Sequence, residues 1–112
     1  MLGKLWPVSA LTLGGGGLGQ VWGVTSRAEA VATVREAVEA GVTLLDLAPR
    51  YGDGEAERVV GEAFGGRLPG GVRVTTKCLI GNPPAGEVPG RLERSLGESL
   101  ELPRLPPWAR CR

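Results

Sequence analysis

The regular alternation of short apolar runs with amphipathic segments constrains the fold of this chain more than any other feature. The apolar runs predict three strands, over residues 8–13, 42–47 and 72–78. The segments that follow them repeat apolar residues at helical spacing and predict helices over 27–40, 55–64 and 89–101. Strands that alternate with helices lie parallel and are joined by right-handed crossovers, so the sequence predicts an α/β fold.

Local signals mark the ends and faces of these elements. Ser26 and Glu29 have the spacing of a capping box and predict the start of the first helix, and Gly41 predicts its end. The second strand is apolar on both faces, as a parallel strand covered on both sides requires. In the third strand, Val74 and Thr76 are predicted to share one face because side chains alternate along a strand.

The length of the chain limits how much of a larger architecture it can hold. An open sheet and part of a β/α barrel both fit the order of elements, but a complete eight-stranded barrel takes about 250 residues. The 112 residues therefore hold at most three barrel units, which we place in a domain over residues 1–101. Residues 102–112 lack hydrophobic periodicity and are predicted to form an irregular tail, either a frayed terminus or an out-of-frame end.

Composition excludes several classes of function. A net charge of +1 argues against nucleic-acid binding, and the absence of histidine excludes His-based acid–base catalysis and most zinc sites. Cys78 and Cys111 lie far apart without metal-ligand spacing, which favours a reducing compartment and predicts no metal site. Cys78 is expected to be a small buried residue rather than a nucleophile. No apolar run reaches the ~18 residues of a membrane span, so we expect a cytoplasmic protein without a membrane partner.

A glycine-rich loop follows the first predicted strand. Gly14, Gly16 and Gly19 match the spacing of a dinucleotide-binding fingerprint, and Asp46 ends the second strand, where a ribose-binding acid would lie. The fingerprint requires a helix that begins within the glycine loop, whereas the predicted helix begins near residue 26. A non-catalytic α/β nucleotide-binding module that uses the 14–19 loop is thus one alternative. Trp22, in the same loop, either lines a substrate mouth or packs on its own turn.

A set of motifs in fixed order resembles the signature of the aldo-keto reductase family. The second strand ends in Asp46-x-Ala48, and Tyr51-Gly52, a short polar turn and a helical glycine follow it. The third strand ends in Thr76-Lys77, as in the family. The first strand runs into Gly14-Gly15-Gly16, which is similar to the family's first strand and loop. The resemblance covers roughly residues 8–100. It implies the first three units of a (β/α)8 TIM barrel, incomplete in this chain.

The resemblance also implies an oxidoreductase that reduces aldehydes, ketones or sugars by hydride transfer from NADP(H), with NAD(H) as the alternative cofactor. Tyr51 is the implied proton donor, and Lys77 and Asp46 are its implied tuning partners. The chemistry is sound, since the alkoxide formed from a carbonyl must be protonated by a nearby acid. A free phenol has a pKa near ~10, and a cation ~4 Å away stabilises its phenolate by ~4 kcal/mol. Gly14, Gly15, Gly16 and Asp46 match positions that touch the nicotinamide end of the cofactor.

The chain departs from the family pattern in ways that affect activity. Family members carry a histidine at the end of the fourth strand, and this chain contains neither a histidine nor a predicted fourth strand. Most cofactor contacts in the family come from the C-terminal half of the barrel. We therefore expect that this chain alone does not turn over a small carbonyl substrate. A three-stranded portion of a barrel also leaves unpaired strand edges, which predicts self-association.

Overall fold

The computed structural model describes residues 7–101, which form a parallel sheet covered by helices. The strands are β1 (Thr12–Gly14), β2 (Leu44–Asp46) and β3 (Arg73–Thr75). The helices are α1 (Arg27–Glu39), α2 (Glu55–Phe64) and α3 (Val88–Glu101), and a 3₁₀ turn over Ala85–Glu87 leads into α3. This order confirms the predicted α/β class. The predicted tail over 102–112 lies outside the described residues.

The three strands lie in the order β1-β2-β3, and both neighbouring pairs are parallel. Their register aligns Leu13 with Leu45 and Leu45 with Val74, so this row of side chains shares one face of the sheet. The same register aligns Gly14, Asp46 and Thr75 at the carboxyl ends of the strands. These residues lie on the opposite face, because side chains alternate along a strand. The carboxyl edge of the sheet thus carries a carboxylate between a glycine and a threonine.

The hydrophobic core lies between the sheet and the helices α1 and α2. Its largest fully buried members include Leu45 and Leu47 from β2 and the residue after it, Val34 from α1 and Val59 from α2. Each fully buried side chain of this size contributes ~1.5–3 kcal/mol relative to an exposed one. The buried side chains of β2 therefore hold the sheet against α1 and α2, and this packing fixes the position of the sheet's carboxyl edge.

The helix ends follow the predicted signals. Ser26 caps α1: its hydroxyl accepts from the backbone N–H of Glu29, and the Glu29 carboxylate accepts from the Ser26 backbone N–H. An N-cap of this kind stabilises a helix by ~1 kcal/mol. Helix α2 ends at Gly65, whose φ of 60° places it in the left-handed region that glycine adopts without a steric penalty. Both helices confirm the sequence-based boundaries to within one residue.

The strands are shorter than predicted, and the first is shifted. The sequence predicts a strand over residues 8–13, but β1 covers Thr12–Gly14. Before β1, the backbone N–H of Ser9 donates to Thr43 Oγ1 at 2.7 Å, and the backbone N–H of Thr43 donates to Ser9 Oγ at 2.8 Å. Hydrogen bonds to these two side chains thus take the place of backbone ladder bonds in the segment before β1. An apolar pattern alone does not distinguish such a segment from a strand.

Candidate active site

Three side chains that the sequence singled out meet at the carboxyl edge of the sheet. Asp46 is the last residue of β2, Tyr51 lies in the loop that follows β2, and Lys77 lies two residues beyond β3. Lys77 Nζ donates to Asp46 Oδ1 at 3.0 Å and to Tyr51 Oη at 3.4 Å. It also donates to the backbone oxygen of Leu47 at 2.9 Å. One ammonium group therefore links the carboxylate and the phenol.

Charges and hydrogen bonds tune this cluster. Burial alone would raise the pKa of Asp46, but hydrogen bonds from Lys77 and Thr75 outweigh it and lower that pKa from its ordinary value of 3.8. Burial alone would lower the pKa of Lys77, but the bonds to Asp46 and Tyr51 raise it above 10.5. Both groups are thus charged near neutral pH. The Lys77 and Asp46 side chains are 52% and 43% exposed, so the pair contributes only ~0–1 kcal/mol to stability.

The loop after β2 holds Tyr51 in place through backbone turns. The backbone N–H of Tyr51 donates to the oxygen of Ala48 at 3.1 Å, and the N–H of Ala56, in the first turn of α2, donates to the oxygen of Tyr51 at 3.1 Å. Gly52 has a φ of 70°, which a glycine adopts without strain. The half-buried Tyr51 ring lies with its centroid 5.0 Å from Lys77 Nζ, within the range of a cation–π contact.

The glycine-rich loop packs against the Tyr51 loop. The backbone N–H of Gly15 donates to the oxygen of Asp46 at 2.8 Å, and a Cβ at Gly15 would lie 2.8 Å from that oxygen. A Cβ at Gly16 would lie 2.5 Å from the nearest atom of the Trp22 ring, and one at Gly19 would overlap the backbone of Tyr51. Three of these glycines therefore allow close contact within the protein. Helix α1 begins only at Arg27, so it does not aim its N-terminus from within this loop, as a dinucleotide fingerprint requires.

Trp22 agrees with one of its two interpretations from the sequence, whereas Cys78 differs from its prediction. Trp22 packs on Gly16 of its own loop while remaining 80% exposed, which agrees with the second of its two interpretations. Cys78 was expected to be buried, and this was wrong, because its side chain is exposed. The strand alternation that would have placed Cys78 on the inner face ends with β3 at Thr75. Beyond that point the chain leaves the sheet.

Comparison with known proteins assigns the chain to a family. The model of the Aldo/keto reductase family matches residues 10–105, which is most of the chain. The chain belongs to the aldo-keto reductase family. It is 35% identical over 96 residues to L-galactose dehydrogenase of Arabidopsis thaliana, an alignment that covers 84% of this chain and 30% of that protein. It is 44% identical over 46 residues to aldo-keto reductase YhdN of Bacillus subtilis, covering 41% of this chain and 14% of YhdN.

A solved structure supports the same assignment and defines the fold as part of a barrel. The chain superposes on the glycerol dehydrogenase AKR11B4 from Gluconobacter oxydans with a TM-score of 0.72 and 29% identity. The superposition covers 93% of this chain and 35% of that one. The chain thus spans about a third or less of the length of these aldo-keto reductase relatives. Its sheet and helices form the first three β/α units of the family's barrel, as predicted.

The structure adds residues to the candidate site that the sequence analysis did not single out. Thr75 Oγ1 donates to Asp46 Oδ1 at 2.9 Å, beside the bond from Lys77. Glu57 in α2 is buried and accepts a hydrogen bond from Thr76 Oγ1 at 2.8 Å. A sequence signal for this pair exists: Glu57 lies on the otherwise apolar face of α2, and Thr76 lies on the apolar face of the strand predicted over 72–78. A charged residue on an apolar helix face predicts a buried polar partner.

Within residues 7–101 the acidic and cysteine side chains form no group of three or more that would hold a metal ion. Within the same range no helix is both long and apolar enough to cross a membrane.

Proposed function

We propose that this chain carries the proton-donating part of a carbonyl-reducing site, in an NADP(H)-dependent oxidoreductase of aldehydes, ketones or sugars, with NAD(H) as the alternative cofactor. One observation carries the proposal: Lys77 Nζ bridges Asp46 Oδ1 and Tyr51 Oη at the carboxyl edge of the sheet. Active sites of β/α barrels form at this edge. The family membership supports the oxidoreductase chemistry.

The hydrogen-bond pattern determines which proton is available for transfer. The Lys77 ammonium has three N–H donors, which are directed to Asp46, to the backbone oxygen of Leu47 and to Tyr51 Oη. Because the Tyr51 oxygen accepts from Lys77, its own O–H proton is directed elsewhere and can be donated to a carbonyl oxygen. Reduction of that carbonyl places negative charge on its oxygen, which takes the Tyr51 proton. The phenolate that remains lies beside the Lys77 ammonium and is stabilised by it.

Open backbone surface at the same edge supports the proposed binding of a nicotinamide ring there. Gly14 is exposed beside Asp46, and a Cβ built on Gly14 would meet no atom within 4 Å, so a planar ring can approach the backbone there. Gly15 and Gly16 are buried and keep the loop close to β2. We propose that Gly14 and Asp46 contact the nicotinamide end of the cofactor, with Gly15 and Gly16 shaping the loop around it. When bound, the cofactor supplies the hydride.

A chimeric enzyme tests this function. Residues 10–105 of this chain replace the matching segment of the Gluconobacter glycerol dehydrogenase, and carbonyl-dependent oxidation of NADPH is followed by absorbance. We expect activity that falls by ~10²-fold or more in Tyr51→Phe, because positioned general acids contribute about that factor. Thr33→Val is the matched control, since it also removes one hydroxyl, from an exposed position on α1. A Tyr51→Phe chimera as active as the Thr33→Val chimera would contradict the proposal.

The chain by itself is proposed to lack turnover, because it contains no histidine to orient the carbonyl and spans about a third of its solved relative. Tight NADPH binding together with carbonyl-dependent oxidation by the purified 112-residue chain would overturn this. We also propose a cytoplasmic location. The exposed free thiol of Cys78 supports it, since such thiols persist in reducing compartments.

A further inference from the structure

Glu57 is a buried carboxylic residue on the otherwise apolar face of α2. It lies in α2 beside Ala56, Val59 and Val60, which are buried in the core, and its own exposure is 1%. Charged residues are almost never fully buried unless they are paired. A buried carboxylate at this position therefore calls for a reason beyond packing.

The hydrogen bonds of Glu57 are incomplete. Oε1 accepts from Thr76 Oγ1 at 2.8 Å, while Oε2 is buried and has no hydrogen-bond partner within the described part of the chain. An unpaired buried acceptor destabilises a fold, and an apolar side chain of similar volume would often be neutral or stabilising instead. Stability alone thus gives no reason for Glu57, but the location of its one partner does.

Thr76 lies between two residues of the candidate site. Thr75 and Lys77 both donate to Asp46 Oδ1, and the backbone ladder between β2 and β3 ends where the N–H of Leu47 donates to the oxygen of Thr75. Beyond that bond, hydrogen bonds that involve side chains hold the chain in place. Thr76 donates to Glu57, and the side chain of Lys77 has the partners described above. The backbone N–H of Leu79 donates to the Ser95 hydroxyl at 2.7 Å. The Thr76–Glu57 bond is therefore the fixed point nearest to Lys77.

Glu57 also belongs to the element that holds the phenol. Helix α2 begins directly after the Tyr51 loop, and the N–H of Ala56, the residue before Glu57, donates to the oxygen of Tyr51. The start of α2 thus contacts both the Tyr51 loop and the end of β3. The Tyr51 loop is attached to it through the backbone, and the end of β3 is attached through Glu57.

We propose that Glu57 is a positioning residue: by holding Thr76, it fixes the end of β3 so that Lys77 lies between Asp46 and Tyr51. This inference rests on the proposed function, because the position of Lys77 matters for catalysis only if Lys77 and Tyr51 take part in the proposed reaction. The geometry itself can be measured without turnover, so the two can fail separately.

The titration of Lys77 reports the geometry directly. Lys4 and Lys77 are the lysines of the chain, so a Lys4→Arg background with ¹³C-labelled lysine gives one signal, that of Lys77. The shift of the Lys77 titration midpoint in Asp46→Asn is the reference for the other variants, because the Asp46 contact raises the Lys77 pKa against the opposing effect of burial. We expect Thr76→Val to lower the Lys77 titration midpoint, in the same direction as Asp46→Asn does. Thr76→Ser keeps the hydroxyl and is expected to keep the wild-type midpoint.

Two further variants separate position from stability. Glu57→Leu combined with Thr76→Val removes both polar groups, so it is expected to fold about as stably as the parent and still to lower the midpoint. Val59→Ala destabilises α2 without touching the bond and is expected to leave the midpoint unchanged. A wild-type midpoint in both the Thr76→Val and double variants would overturn the positioning role and leave the site intact. If Asp46→Asn does not shift the midpoint, the positioning role and the proposed function both fail.

Discussion

The contact between the glycine-rich loop and the Tyr51 loop makes a sharp prediction for Gly19→Ala. Gly19 is buried, and a Cβ there would overlap the backbone carbonyl of Tyr51 and lie 2.8 Å from the Tyr51 Cβ. The obstructing atoms are mostly backbone, so the clash is relieved only if one loop moves away from the other. Gly17 provides a matched control in the same loop. It is exposed, and a Cβ there would meet no atom within 4 Å.

The size of the effect follows from the two environments. Forcing an extra methyl group into a packed contact destabilises by ~1–3 kcal/mol. Neither glycine has a left-handed φ, so alanine at the open position Gly17 is expected to stabilise by ~0.4–1 kcal/mol through the unfolded chain. For a domain of this size, 1 kcal/mol shifts the melting temperature by ~4–8 °C. We therefore expect Gly19→Ala to melt at least ~4 °C below the parent, and Gly17→Ala at or above it.

Thermal unfolding followed by circular dichroism measures both variants, and urea unfolding converts the shifts into free energies. The Lys77 titration, recorded in the same samples, shows whether the Tyr51 loop has moved. A melting temperature for Gly19→Ala equal to or above that of Gly17→Ala would refute the close contact between the loops.

Three further predictions concern the scaffold. Ser26→Ala is expected to lower the free energy of unfolding by ~1 kcal/mol in urea titrations, because it removes the α1 cap. A hydrogen bond from Arg27 outweighs burial and lowers the pKa of Glu55 below 4.5. The stability from Glu55 is therefore complete above pH 4.5 and lost as the pH falls through the lowered pKa; Arg27→Gln should flatten this acid limb in melting curves. In the part of the chain that the structure describes, β1 and β3 each have one unpaired edge, so self-association is expected in sedimentation velocity. A monodisperse monomer would contradict this expectation.

Local sequence signals predicted the helices closely because their ends depend on neighbouring residues. The reciprocal bonds of Ser26 and Glu29 start α1 where the capping box predicted, and Gly65 ends α2 with a left-handed φ. Strand ends depend instead on partners distant in the chain. The Ser9–Thr43 pair replaces ladder bonds before β1, and neither residue signals this by itself.

The approach of Asp46, Tyr51 and Lys77 was predictable because parallel strands bring their carboxyl ends to one edge, and the structure places the three side chains together. Their catalytic roles remain a proposal. The buried pair of Glu57 and Thr76 was not predicted, because sequence periodicity shows which face a residue lies on but not what it contacts there. Such a pair becomes visible only when the position of α2 relative to the end of β3 is known.

The Lys77 titration in Asp46→Asn shows whether one ammonium group joins the carboxylate and the phenol in solution. In the parent, burial lowers the Lys77 pKa, but the contacts with Asp46 and Tyr51 outweigh it and raise the value above 10.5. We predict a Lys77 midpoint above 10.5 in the parent and a lower one in Asp46→Asn. Identical midpoints in the two proteins would show that Lys77 and Asp46 do not meet in solution.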